Sequence, residues 1–227
     1  MTPPPPADQS AIDTIIFDVD GTLIDTNYHH TIAWFRAFQQ FHVTPPLWRI
    51  HRAIGMGGDQ LVKAVAGDEV ESEHGDELRA AWTKEFDALI SEVQPFEGAE
   101  GLLREVRRRG LQVVLASSGA SKHVEHYLDV INGRELSDGW TTADDAEETK
   151  PAPDLIETAM AKFDAGPAVL IGDSVWDAEA AARAGVPTYA VRTGGFSIGE
   201  LEDAGSSRVY DSLEEFRDDL DQIIASS

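Results

Sequence analysis

Four short apolar runs constrain the fold of this chain more than any other feature. They cover residues 12–17, 111–116, 168–171 and 186–191. Each carries β-branched residues, is too short for a packed helix, and is bounded by turn formers. Such runs read as strands buried on both faces of a parallel sheet. Helical patterns lie between them. Residues 100–109 place Leu102, Leu103 and Val106 on one face and end at Gly110, a C-cap signal; the alanine-rich segment 177–184 ends at Gly185 in the same way. Near the C-terminus, Ser212 and Glu215 form a capping-box pattern. Leu213, Phe216, Leu220 and Ile223 then give one helix its apolar face. Strands alternating with helices predict an α/β fold: a Rossmann-like parallel sheet with helices on both faces.

Residues 26–95 break the alternation. Their periodicity is helical throughout, with helices expected over 28–42, 46–54, 59–65 and 69–93, the last broken at Gly75. Trp34, Phe35, Phe38 and Phe41 recur at helical spacing and read as core packing. The expected organisation is therefore an α/β core made of residues 11–25 and 96–227. An all-helical cap domain, 26–95, is inserted after the first strand. Residues 1–10 include four consecutive prolines and read as a flexible tail.

Composition narrows the function classes. The 227 residues include 41 Asp plus Glu against 18 Lys plus Arg, a formal net charge of −23. That excess repels nucleic acid and anionic membrane, both polyanions. Cysteine is absent, which removes thiolate nucleophiles, disulfides and cysteine-bound metal. No signal peptide is expected from the N-terminus, which has neither a basic start nor an apolar stretch. No apolar run reaches the roughly 18 residues of a membrane helix. A cytoplasmic protein is the default expectation, and a monomer is favoured over an oligomer.

Chemistry concentrates at the ends of the predicted strands, where ligands of open α/β sheets bind. Phe17-Asp18-Val19-Asp20-Gly21-Thr22-Leu23 follows the first run. Two carboxylates so close repel each other unless a cation or a shared proton compensates; an acidic turn is the simpler alternative. Gly172-Asp173-Ser174-Val175-Trp176-Asp177 follows the third run. Hard carboxylate oxygens from two strand ends suit Mg2+, although Asp173 or Ser174 also suits a helix cap. Ser117, Ser118 and Gly119 follow the second run and offer either a phosphate cradle or a serine cap. Lys150 precedes Pro151, so its backbone is expected to be extended before the next helix; a solvated surface lysine is the alternative.

Taken together and in this order, the four segments resemble the haloacid dehalogenase-like hydrolases, most of which are phosphatases. The family pattern has an Asp-x-Asp-Gly-Thr loop, a strand ending in Ser or Thr, a Lys, and a Gly-Asp-x-x-x-Asp segment. The resemblance spans residues 12 to about 191. The helical insert resembles the cap of phosphoglycolate phosphatase-like and β-phosphoglucomutase-like members. It implies a Mg2+-dependent phosphatase acting on a small phosphorylated metabolite. Asp18 would be the nucleophile and Asp20 the acid and base. Ser117, Ser118 and Lys150 would hold the phosphate. Asp18, Asp20 (through its carbonyl), Asp173 and Asp177 would form the metal shell. A sugar phosphomutase shares these motifs and is the alternative, with a noncatalytic phosphate- or metal-binding protein a distant third.

Within the insert, residues 48–58 join a basic, aromatic stretch to a glycine cluster. Arg49, His51 and Arg52 are its specificity candidates, unless they merely form a solvated helix face. His29, His30, His123 and His126 read as helical surface positions rather than ligands. Lys63 reads as a surface lysine.

Overall fold

The computed structural model describes residues 12–225; the proline-rich segment 1–10 lies outside them. β1 (Thr14–Asp18) is followed by α1 (Asn27–Gln40), α2 (Leu47–His51), α3 (Gly58–Ala66) and α4 (Asp68–Asp87). Next come α5 (Ala99–Arg108), β2 (Gln112–Ala116), α6 (Ser121–Val130), α7 (Gly133–Leu136) and β3 (Gly139–Thr141). Then follow α8 (Asp154–Lys162), β4 (Ala168–Gly172), α9 (Val175–Ala184), β5 (Thr188–Val191), α10 (Ile198–Asp203) and β6 (Ser206–Tyr210). Two short helices, α11 (Leu213–Asp218) and α12 (Leu220–Ala225), close the described chain.

The strands form one parallel sheet in the order β3-β2-β1-β4-β5-β6. Alternation along each central strand shows why it is apolar throughout. Ile15 and Phe17 of β1 pack into one hydrophobic cluster with Leu102, Leu103 and Phe216. Ile16 packs into another, with Leu155, Ile156 and Ala181. Both faces are covered, so neither can be polar. All four expected strands form. β3 and β6 were not signalled because they are the two sheet edges, where pairing and burial are one-sided. Ser207 and Arg208 of β6 are accordingly exposed.

The register positions the site. Phe17 of β1 pairs with Ile171 of β4. Asp18 therefore lies next to the Gly172-Asp173 exit of β4. The sheet order also reverses at β1, with β2 and β3 to one side and β4 to β6 to the other. Crevices form at such a switch point beyond the strand ends.

Helices α1–α4 carry their own hydrophobic cluster, which includes Trp34, Phe38, Ile50, Leu61, Val62 and Leu78. The chain leaves and re-enters the sheet layer as a pair of adjoining segments. The Asp25 N–H donates to Gln94 O at 2.9 Å, and the Phe96 N–H to Leu23 O at 2.9 Å. Three expectations are corrected here. α4 runs unbroken through Gly75, where a Cβ would lie 2.5 Å from Glu71 Oε1 and 2.9 Å from Arg79 Nη2; the glycine makes room for an ion pair. The terminal helix divides at Asp219, whose carboxylate accepts from Tyr210 and Arg208. His123 is buried rather than exposed. Among the described residues, no helix is long and apolar enough to cross a membrane.

His123 Nε2 lies 2.8 Å from Asp87 Oδ1, and its ring meets Phe86 edge-on at 4.9 Å. Burial pushes its pKa down, and Asp87 only partly opposes this. The unfolded chain thus protonates His123 first as pH falls below about 6.5, so its contribution to stability is present above that pH and lost below it. Replacing it by Gln should shrink the fall in unfolding free energy between pH 7.5 and 5.5 by up to about 1 kcal/mol. Urea titrations at the two pH values measure this.

Candidate active site

Asp18 is the last residue of β1 and is 3% exposed. The chain must turn sharply after it. Gly21 takes a φ of 84°, and a Cβ there would lie 2.5 Å from both Asn27 Nδ2 and Asp173 Oδ2. Only glycine combines that conformation with that clearance. Through this gap, Asn27 at the start of α1 donates to Asp173 Oδ2 at 2.9 Å. The Thr22 hydroxyl sits 3.0 Å from Asp18 Oδ2 and 3.1 Å from Asp173 Oδ1. The Asp-x-Asp loop, β4 and α1 are thereby tied together.

Lys150 is almost wholly buried. Its ammonium donates to Asp18 Oδ1 at 2.5 Å and to Asp177 Oδ1 at 2.6 Å. Burial works against its charge, but the two carboxylates outweigh it and hold the lysine firmly protonated. The surface reading of this residue is thus overturned. The Lys150–Pro151 peptide is cis. Asp177 serves twice: its second oxygen accepts from the Ser174 N–H at 3.1 Å and from the Ser174 hydroxyl at 2.6 Å, closing the capping box of α9. Cap and site are the same residue.

The charge count decides what the cluster lacks. Oxygens of Asp18, Asp173 and Asp177 lie within 4.8 Å of one another, all on buried residues. Lys150 supplies one compensating charge. Burial, opposed by Lys150, pushes the Asp18 carboxyl well above its ordinary range, with Asp177 and Asp173 adding to the rise. Burial and the neighbouring Asp177 push Asp173 up to about 7. Two such carboxyls are uncomfortable as anions, and a divalent cation would relieve both. The donor set is all oxygen, the chemistry that suits Mg2+.

Asp20 lives differently. Its carboxylate turns away from the cluster, accepting from the Ser117 hydroxyl at 2.7 Å and lying 3.0 Å from His30 Nε2. Burial tends to raise its pKa, but the bond and charge of His30, with the Ser117 bond, prevail and bring it down to about 2. Ser117 also accepts from the Gly119 N–H at 3.0 Å. It therefore orients Asp20 and the following turn, whereas Ser118 and Gly119 face a cavity.

That cavity, of about 200 Å3, lies between the strand ends and the α1–α4 block. Asp18, Asp20 and His30 line its floor, and Trp34, Met56 and Trp82 are among its upper walls. The three basic residues expected there are placed elsewhere. Arg49 donates to Ala64 O at 3.2 Å, and His51 stacks on Tyr28 at 5.0 Å. Arg52 pairs with Glu200 and covers the Phe196 ring at 3.9 Å. Each is engaged away from the cavity, and only Arg52 by a carboxylate. His30 is the reverse case. Its helical pattern predicts a surface position, yet it is buried against Phe86 at 4.0 Å and holds Asp20. The spacing Asn27, His30, Trp34 on one face of α1 was the available signal.

Removing charge should separate function from stability. Asp173→Asn should stabilise the metal-free protein by about 1 kcal/mol or more, because it deletes a buried repulsion. Lys150→Met should destabilise it by about 3–5 kcal/mol, because two buried carboxylates lose their cation. Thermal and urea unfolding in EDTA measure both, and opposite signs are expected.

A model of the haloacid dehalogenase-like hydrolase family matches residues 15–191. The pyrophosphatase PpaX of Bacillus cereus is 27% identical over 186 residues, covering 79% of this chain and 83% of that protein. Protein CbbY of Cereibacter sphaeroides is 29% identical over 223 residues, covering 90% and 94%. The crystal structure of a hydrolase from Pseudomonas syringae superposes with a TM-score of 0.87 at 32% identity. It covers 92% of this chain and 98% of that one.

Proposed function

The chain belongs to the haloacid dehalogenase-like hydrolases, and from that membership we propose that it is a Mg2+-dependent phosphatase of a small phosphorylated metabolite. The observation that carries the reading is the contrast between Asp18 and Asp20. One carboxylate is gripped by a buried lysine at the cavity floor. The other, two residues on, faces the same cavity with its own hydrogen-bond partners. A nucleophile and a separate proton carrier need this division of environments.

In this reading an Asp18 oxygen attacks phosphorus, and the bond from phosphorus to the leaving oxygen breaks. Asp20 gives that oxygen a proton. Water then attacks the phosphoryl group on Asp18, Asp20 accepts the water proton, and the Asp18–phosphorus bond breaks. The low pKa of Asp20 leaves it ionised and able to accept a proton in the second step. For the first step it must hold a proton, and a phosphate dianion beside it raises its proton affinity by like-charge repulsion. His30 fixes where that proton sits, and Ser117 keeps the carboxylate aimed. Lys150 orients Asp18 and offsets charge on the phosphoryl oxygens. Asp18 and Asp173 would hold Mg2+, with the Asp20 carbonyl and Asp177 at its margin. When bound, Mg2+ supplies charge compensation for the oxygens of the phosphoryl group. The α1–α4 block acts as the cap that excludes water.

Asp18→Asn keeps the shape and removes the nucleophile. It should abolish phosphate release from p-nitrophenyl phosphate, a loss of about 1000-fold or more in kcat, while the protein stays folded by circular dichroism. Turnover within tenfold of the parent would overturn the reading. EDTA should also stop the parent enzyme, and added Mg2+ should restore it.

A further inference from the structure

The cavity floor is charged, but its upper wall is not. Trp34, Ile54, Met56, Leu61 and Trp82 face it from α1, α3, α4 and the loop between α2 and α3. Trp34 and Trp82 stack with their ring centroids 5.3 Å apart and their planes 15° off parallel. Among the described lining residues, Arg79 is the one arginine or lysine. Its guanidinium is already engaged. One terminal nitrogen lies 2.8 and 3.0 Å from the two oxygens of Glu71, and the other lies 2.8 Å from Asp76. The part of Arg79 that passes closest to Gly58, another lining residue, is its aliphatic stem. Arg79 therefore reaches the wall with its charge already committed to Glu71 and Asp76.

Resting on the phosphatase reading above, we propose that the group esterified to the substrate's phosphate is compact and largely apolar, and carries no second phosphate or carboxylate. A second anion placed against this wall would meet indole, thioether and alkyl surface. It would shed its hydration with no free cation to replace it. A polyhydroxylated sugar fares little better: on the lining residues the uncommitted side-chain polar atoms are the Ser118 hydroxyl and the buried Trp82 Nε1 and His30 Nδ1, so most of its hydroxyls would stay unpaired. An apolar leaving group, by contrast, buries its surface against the stacked tryptophans. The inference separates this chain from its relative named a pyrophosphatase, because pyrophosphate expels a leaving group that is itself a phosphate.

The test compares phosphate release by the intact protein with Mg2+ from benzyl phosphate, 2-phosphoglycolate, glucose 6-phosphate and pyrophosphate. Benzyl phosphate shares an alcohol leaving group with the two organic competitors, so intrinsic reactivity does not set that order. We expect its kcat/KM to exceed each of the others by about tenfold or more. A higher value for any competitor would overturn the inference. p-Nitrophenyl phosphate serves as the control, since its phenolate leaves with little help. Turnover of it without turnover of benzyl phosphate overturns the substrate class alone, and no turnover of any compound overturns the phosphatase reading as well. Met56→Arg, which adds a cation at a half-buried wall position, should shift the ratio towards 2-phosphoglycolate by about tenfold. An unchanged ratio in the folded variant would show that this wall does not read the leaving group.

Discussion

One buried ammonium shared by two buried carboxylates organises the site. The parallel register of β1 and β4 forces Asp18 and Asp173 to the same edge of the sheet, and the first turn of α9 adds Asp177. Three acids meeting out of water is an arrangement that folding alone disfavours. Lys150 makes it tolerable by bridging Asp18 and Asp177. A buried ion pair of this kind seldom adds net stability over an apolar replacement. Its use is chemical: with three carboxylates against one ammonium the cluster stays two positive charges short, an imbalance that a hard divalent cation would suit.

The two acids of the Asp-x-Asp loop then diverge although both are buried. Burial is the largest influence on each and raises the pKa of both. What separates them is the company they keep. Asp18 has one lysine against three neighbouring carboxylates, so the rise stands. Asp20 has His30 and Ser117, so it is reversed. Gly21 is the hinge of this difference. Its positive φ turns the chain just beyond the pair, and α1 then brings His30 back to the second carboxylate while Ser117 reaches it from the end of β2.

Much of this was legible in the sequence, for a reason. Central strands of a doubly covered sheet must be apolar, so acids at their ends stand out, and Asp18, Asp173 and the serines after β2 could be located without coordinates. The edge strands could not, because one-sided pairing leaves no continuous apolar run. His30 and Asn27 were hidden for another reason. α1 packs one side into the helical cluster and reaches the catalytic loop with an adjoining one, and periodicity alone shows only that a side is buried. Arg49, His51 and Arg52 show the limit of reading positive charge as the sign of an anion site. Their local partners, a backbone carbonyl, a tyrosine ring and Glu200, lay beyond what spacing reveals.

That last point bears on the whole molecule. With 41 acidic and 18 basic residues, most arginines find a carboxylate nearby. Arg79, Arg52, Arg104, Arg108 and Arg109 all do. Free positive charge is scarce, and the field of the chain opposes any incoming anion. At physiological ionic strength that field is screened beyond about 8 Å, so the opposition is felt mainly inside the cavity. There Lys150 and a bound divalent cation can compensate one phosphate at the floor. Nothing comparable stands at the wall above. An acidic protein can therefore act on a phosphate ester while its own surplus charge, by occupying its arginines, leaves the rest of the binding site to apolar contacts.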